Sequence, residues 1–134
     1  MVQQAFLEGR KYAPAQLGNV LVLGLGKSGK ASINYLLDLL GTRVNSLYVA
    51  AGKRSADAEE WARGAVERGA RVEFDVESFK DSFDLCIASP GISQFSDFYL
   101  NAQQASDEIM SEVEFAWRES ASDSRWIAIT GTNG

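Results

Sequence analysis

Hydrophobic residues in this chain come in short continuous runs that alternate with stripes of helical period. Val20, Leu21, Val22 and Leu23 form the first run, which ends at Gly24 and predicts a strand over residues 19–24 covered on both faces. Ile33, Leu36, Leu37 and Leu40 follow at i, i+3, i+4 and i+7, one side of a helix that should close near Gly41. The pattern then repeats. Residues 47–50 read as a second strand, and Ala58, Trp61, Ala62 and Ala65 recur at helical spacing after it. Asp57, Glu59 and Glu60 lie at the start of that segment and Arg63 and Arg68 towards its end, as the helix dipole favours, with Gly69 as a stop. A third strand is expected over residues 71–74 and a fourth over 85–88, the latter apolar enough for the sheet centre. Ser89, Pro90 and Gly91 terminate it, because Pro supplies no N–H and Gly admits positive φ. A helix over residues 96–105 and a short strand at 108–110 come next. Ser111 and Glu114 then match a capping box, opening a helix that should end near Ser120. A polar linker leads to a last apolar run at residues 126–130.

Strands that alternate with helices at this spacing need long crossovers, which implies parallel neighbours. The expected fold is α/β: a Rossmann-like open, mostly parallel sheet of about five strands with helices on both faces. The boundaries drawn from the pattern are an N-terminal extension over residues 1–18, the α/β domain over 19–122, and the first strand of a further domain over 123–134.

Composition narrows the choice of partner. The 134 residues are 46% hydrophobic, enough for one domain with a single core. A net charge of -5 without any basic run argues against nucleic acid or an anionic membrane, leaving a small molecule or a protein. No apolar stretch approaches a membrane span or a signal peptide core, so the expected location is the cytoplasm. Cys86 is the single cysteine and there is no His, which excludes an intrachain disulfide, a Cys-based metal site and imidazole chemistry. A buried structural thiol is the expectation for Cys86.

Candidate chemistry sits in two glycine loops and one turn. Gly24-Leu25-Gly26-Lys27-Ser28-Gly29 matches G-x-G-x-x-G after a strand and before a helix, where backbone N–H groups at Lys27 and Ser28 can meet a phosphate or diphosphate. The same glycines would also serve close packing alone. A dinucleotide site calls for an acidic residue about 20 positions further on, yet the second strand ends in Ala50 and Ala51. An NADP-binding domain of a dehydrogenase or redox-sensing regulator therefore stands as the alternative, with Lys53 or Arg54 near a 2′-phosphate. Ser89, Pro90 and Gly91 should fall on the same sheet edge as the glycine loop. Glu112 and Glu114, two apart on a helix, read as a cap and a solvated face. The terminal strand runs into Gly131, Thr132, Asn133 and Gly134, the beginning of a phosphate loop whose expected Lys and helix do not follow. The chain is accordingly read as a piece of a longer enzyme, a binding domain and not itself a catalyst.

The glycine loop, the segment Asp84-Leu85-Cys86-Ile87-Ala88-Ser89-Pro90-Gly91-Ile92, and Ile127-Ala128-Ile129-Thr130-Gly131-Thr132-Asn133-Gly134 together resemble the Mur ligases of peptidoglycan synthesis, from about Asn19 onward. Asn133, where alanine-adding members usually have His, points to the D-glutamate-adding branch. The resemblance implies a first domain that binds UDP-N-acetylmuramoyl-L-alanine, followed by the start of a central ATP-binding domain in a monomeric enzyme. Lys27, Ser28, Ala51, Ser89, Pro90 and Gly91 would then meet the substrate, Ala51 through its backbone. Gly131, Thr132, Asn133 and Gly134 would meet ATP, and ATP and Mg²⁺ would serve the full-length enzyme, with neither expected on the fragment. In the family the substrate's alanine carboxylate is phosphorylated and D-glutamate attacks the acyl phosphate. No catalytic or metal-binding residue of this chain is assigned. The family commonly carries an acidic residue where this chain has Ala50 and Ala51.

Overall fold

The computed structural model describes residues 5–126. Its elements follow in the order β1 (Gly18–Leu23), α1 (Lys27–Leu37), β2 (Val44–Ala50), α2 (Ala56–Glu67), β3 (Arg71–Glu73), β4 (Phe83–Ala88), α3 (Asp97–Ala105), β5 (Ser106–Ser111) and α4 (Glu112–Glu119). The sheet has strand order β3-β2-β1-β4-β5. Every pairing in it is parallel.

Alternation along each strand builds two cores. Val20 and Val22 of β1, Leu47 and Val49 of β2, and Leu85 and Ile87 of β4 face one layer, closed by Ile33, Leu36 and Leu37 of α1, Ala65 of α2 and Phe115 of α4. Leu21, Leu23, Tyr48, Ala50, Cys86 and Ala88 face the other, where α3 contributes Ala102 and Phe79, Phe98 and Tyr99 pack alongside. Helices thus cover both faces, which is why the central strands carry no polar side until their ends. Cys86 is fully buried in the second layer, and that burial pushes its thiol up to about 12.

Element ends depart from the sequence pattern where local turns compete. α1 stops at Leu37, and Leu39 and Leu40 continue in tight turns, their N–H groups donating to the carbonyls of Leu36 (3.0 Å) and Leu37 (3.3 Å). Gly41, at φ 88°, still ends the connection as expected. β2 begins at Val44 and not Leu47, because Asn45 and Ser46 are exposed at its start, where Ser46 Oγ donates to Asn19 Oδ1 (2.8 Å). β3 ends at Glu73, and β5 runs over the longer span Ser106–Ser111.

Residues 5–17 fold back on themselves through an antiparallel bridge between Phe6 and Pro14. Lys11 and Tyr12 then donate their N–H groups to the carbonyls of Ser120 (3.0 Å) and Arg118 (2.9 Å) at the end of α4. A buried ion pair secures this corner. Arg43 grips Glu119 at 2.6 and 2.9 Å and donates to the Pro14 carbonyl at 2.6 Å. Tyr35 Oη donates to Glu119 Oε1 at 2.5 Å, and Arg10 donates to the Glu119 carbonyl at 2.6 Å. Desolvation, then the hydrogen bond to Glu119, holds the Tyr35 hydroxyl above its ordinary pKa.

Candidate functional site

The chain reverses its direction of travel across the sheet at β1: β2 and β3 lie to one side, β4 and β5 to the other. At such a switch point the loops after two adjacent strands diverge and leave a crevice at the carboxyl edge. Here those loops are residues 24–26, after β1, and residues 89–96, after β4.

Backbone hydrogen bonds continue along this edge beyond the strands. Ser89 N–H donates to the Leu23 carbonyl (3.2 Å), Gly24 N–H to Ala50 (2.8 Å), Ala51 N–H to Glu73 (2.8 Å) and Asp75 N–H to Gly52 (2.7 Å). Gly24, at φ 96°, turns the chain back over the β4 end, and a Cβ there would lie 3.2 Å from Ser89 Cβ and 3.4 Å from Ile92 Cδ1. A Cβ at Gly26 would come within 3.8 Å of Ser89 Oγ. The glycine loop and the Ser-Pro-Gly turn therefore share one rim.

The start of α1 differs from that of the other helices in a way that suits an anion. Ser55, Ser96 and Ser111 cap α2, α3 and α4 with their side chains, accepting from Ala58, Tyr99 and Glu114 N–H. Gly26 caps α1 without a side chain, and the first turn of α1 has no acidic residue. Its carbonyl takes the first helical bond, from Lys30 N–H (2.9 Å). The N–H groups of Lys27, Ser28 and Gly29 precede that bond and have no partner within the helix. Lys27 and Ser28 are exposed at this point. Such an end, with the helix dipole behind it, accommodates phosphate oxygens.

The remaining sequence-selected residues divide. Pro90 and Gly91 are exposed in the turn closed by Ile92 N–H to the Ser89 carbonyl (3.1 Å). Ala51 is buried at the end of β2, and its N–H is engaged by Glu73 as above, so its backbone donor is already used. Arg54 pairs with Glu59 at 2.5 Å and lies 4.9 Å from the Phe74 ring, contacts that turn its charge towards α2 and β3. Gly131, Thr132, Asn133 and Gly134 lie outside the described residues.

Glu112 corrects an expectation. Glu114 is exposed and pairs with Arg118 at 3.1 Å, as a solvated face would have it. Glu112, at the first position of α4, is only 5% exposed, and neither carboxylate oxygen has a partner among the described residues. It reaches under the glycine loop: a Cβ at Gly29 would meet Glu112 Oε1 at 3.3 Å and the Gly24 carbonyl oxygen at 2.8 Å. The two-residue offset from Glu114 signals opposite directions, but only the packing of α4 against α1 shows which carboxylate turns inward.

A cavity of about 400 Å³ lies at the opposite, amino-terminal edge, lined by Gly18, Asp84, Asp107, Glu108 and Glu119. None of the sequence-selected substrate residues borders it.

No protein-family model matches the chain. Among curated proteins it is 35% identical over 116 residues to the UDP-N-acetylmuramoylalanine--D-glutamate ligase of Thermobifida fusca, 86% of this chain and 24% of that protein. The enzyme of the same name from Lacticaseibacillus casei is 35% identical over 118 residues, again 86% of this chain and 24% of the relative. That from Thermoanaerobacter pseudethanolicus is 36% identical over 119 residues, with the same shares. The chain belongs to the Mur ligase family. It spans about a quarter of the length of these Mur ligase relatives. Among its described residues no helix is long and apolar enough to cross a membrane.

Proposed function

We propose that this chain is the nucleotide-sugar-binding part of an ATP-dependent ligase that joins D-glutamate to UDP-N-acetylmuramoyl-L-alanine. The observation that carries the reading is the shared rim of Gly26 and Ser89 beside a helix start with neither side-chain cap nor acidic residue. The names of the relatives supply the substrate class. The diphosphate sits against the N–H groups of Lys27 and Ser28, where the α1 dipole offsets its charge. Ser89 offers a hydroxyl from across the crevice, and Pro90 and Gly91 shape the wall beside it. Ala51 closes the floor at the end of β2.

In the whole enzyme, ATP would give its γ-phosphoryl group to the substrate's alanine carboxylate and leave as ADP, with Mg²⁺ offsetting the phosphate charge. The amine of D-glutamate then attacks the acyl phosphate carbon, an amide forms and inorganic phosphate leaves. Residues 131–134 belong to the ATP loop in this reading, residues 123–134 open the central domain, and residues 19–122 hold the sugar nucleotide. This chain's part is to bind and orient, which counts in catalysis because a fixed carboxylate reacts as a neighbour and not by encounter. Consumption of ATP and a UDP-sugar supports a cytoplasmic location in this reading.

Calorimetric titration with UDP-N-acetylmuramoyl-L-alanine and, separately, with NADPH tests the reading. Binding of the UDP-sugar is the expected result. A response to NADPH with none to the UDP-sugar sinks it in favour of a redox domain.

A further inference from the structure

We propose that Asp75 supplies the hydrogen-bond acceptor for the uridine, in place of the acidic residue missing at the end of β2. The inference rests on the glycine loop being the diphosphate seat, and extends that site to the nucleoside.

Three observations carry it. The first is position. Asp75 N–H donates to the Gly52 carbonyl at 2.7 Å, so the residue after the β3 end is tied to the residues that follow β2. The row of backbone bonds from Ser89 through Gly24 and Ala51 ends at Asp75, on the same carboxyl edge as the glycine loop. β3 lies two strands from β1, about 10 Å at ordinary strand spacing. That matches the reach from a diphosphate across a ribose to a pyrimidine.

The second is conformation. Asp75 has φ 56°, and it is the one non-glycine residue at positive φ among the described residues. Asp and Asn are the side chains that enter this region most readily. Asp75 keeps a last backbone bond to Gly52, and the chain bends out of the strand there.

The third is availability. Glu73, the other carboxylate here, already accepts from Tyr48 Oη (2.7 Å) and from Arg71 (2.9 Å). Asp81 is paired with Arg71 at 3.3 Å. Asp75 is exposed, with no side-chain hydrogen bond or ion pair among the described residues. A carboxylate near a diphosphate is repelled by it, a cost that a hydrogen bond accepted from the ligand offsets. Uridine offers donors suited to it, the N3–H of the base and the ribose hydroxyls.

The test titrates UDP, pyrophosphate, 3-methyl-UDP and 2′,3′-dideoxy-UDP into the full chain, as wild type, Asp75→Asn and Asp75→Gly. Asn tolerates positive φ and keeps a similar shape while losing the charge, and Asp75→Gly serves as a second variant that fits the turn. Thermal melting confirms that both are folded. The expected result is that each variant binds UDP about tenfold more weakly, the scale of one charge-assisted hydrogen bond. Pyrophosphate should bind the variants as well as wild type or better, because removing a negative charge favours any anion. If 3-methyl-UDP binds wild type as weakly as UDP binds Asp75→Asn, the contact is to the base. If 3-methyl-UDP binds like UDP while 2′,3′-dideoxy-UDP does not, it is to the ribose, and either arm supports the proposal. UDP binding that is equal or tighter in both variants overturns it and leaves the diphosphate seat standing. A wild-type chain that binds neither UDP nor pyrophosphate overturns the seat and this inference together.

Discussion

Gly26 and Gly29 share one loop yet answer to different constraints. At Gly29 a Cβ would lie 2.8 Å from the Gly24 carbonyl oxygen, a backbone atom that moves only if the turn moves. Gly29→Ala should therefore lower the unfolding free energy by about 1–3 kcal/mol, read as an earlier urea midpoint. At Gly26 the nearest heavy atom would be Ser89 Oγ at 3.8 Å, an ordinary contact. Gly26→Val should melt close to wild type and yet lose UDP-sugar binding, since the bulk fills space meant for the diphosphate. A Gly26→Val chain that binds normally would show that the glycine serves packing alone. Glu112 gives a third outcome at this scale. Its buried carboxylate lacks partners among the described residues, so Glu112→Gln should raise stability by about 1–3 kcal/mol. An unchanged or lower melting temperature would contradict that. The glycines were legible from spacing because a strand, a turn and a helix lie next to each other in the chain. Glu112 was not, because its surroundings come from α1, far away in sequence.

At the scale of elements, the Ser111 cap was a readable signal. Ser111 opens α4 as its sequence context foretold, although Glu114 turns to Arg118 and not back to close the box. Ser96 and Ser55 also cap α3 and α2 through their side chains, although the sequence pattern had not singled them out as caps. The corner joining residues 5–17 to α1 and α4 left no such local mark. Tyr35, Arg43 and Glu119 meet only after the fold forms, and each alone reads as a surface residue. Glu119→Ala would strand the Arg43 guanidinium, whose side chain is only 11% exposed, and should cost about 3–5 kcal/mol. The Arg43→Met, Glu119→Leu double variant should recover much of this, because two apolar groups leave no orphaned charge. A double variant no more stable than Glu119→Ala would show that the pair contributes more than its own compensation.

Across the whole molecule, the parallel arrangement followed from the alternation of strands and helices, and the apolar run at residues 85–88 lies inside the sheet as β4, beside β1; the order of the strands is set by packing and was not legible. Strand ends were less legible, since exposed residues such as Asn45 and Ser46 pair through the backbone whatever their side chains. The folded state should be most vulnerable in alkali. Cys86 is pushed from its ordinary value of 9.0 to about 12 by burial, and Tyr48 from 10.0 to about 12 by burial and its bond to Glu73. Below 9.0 the thiol is protonated in folded and unfolded chains alike. Between 9.0 and about 12 the unfolded chain has released the proton and the folded one has not, so stability falls as pH rises. Urea midpoints should drop from about pH 9 to about pH 11, less steeply in Cys86→Ala. A midpoint independent of pH over that range would count against the buried thiol.

β3 is three residues long and forms one margin of the sheet, with Arg71 and Glu73 paired to each other at its two ends. A strand this short, flanked by charge and leading into the turn at Asp75, is a poor template for recruiting another chain. Crowded solutions of the protein should therefore resist cross-β aggregation from that side, and a lengthened, uncharged β3 would remove the safeguard.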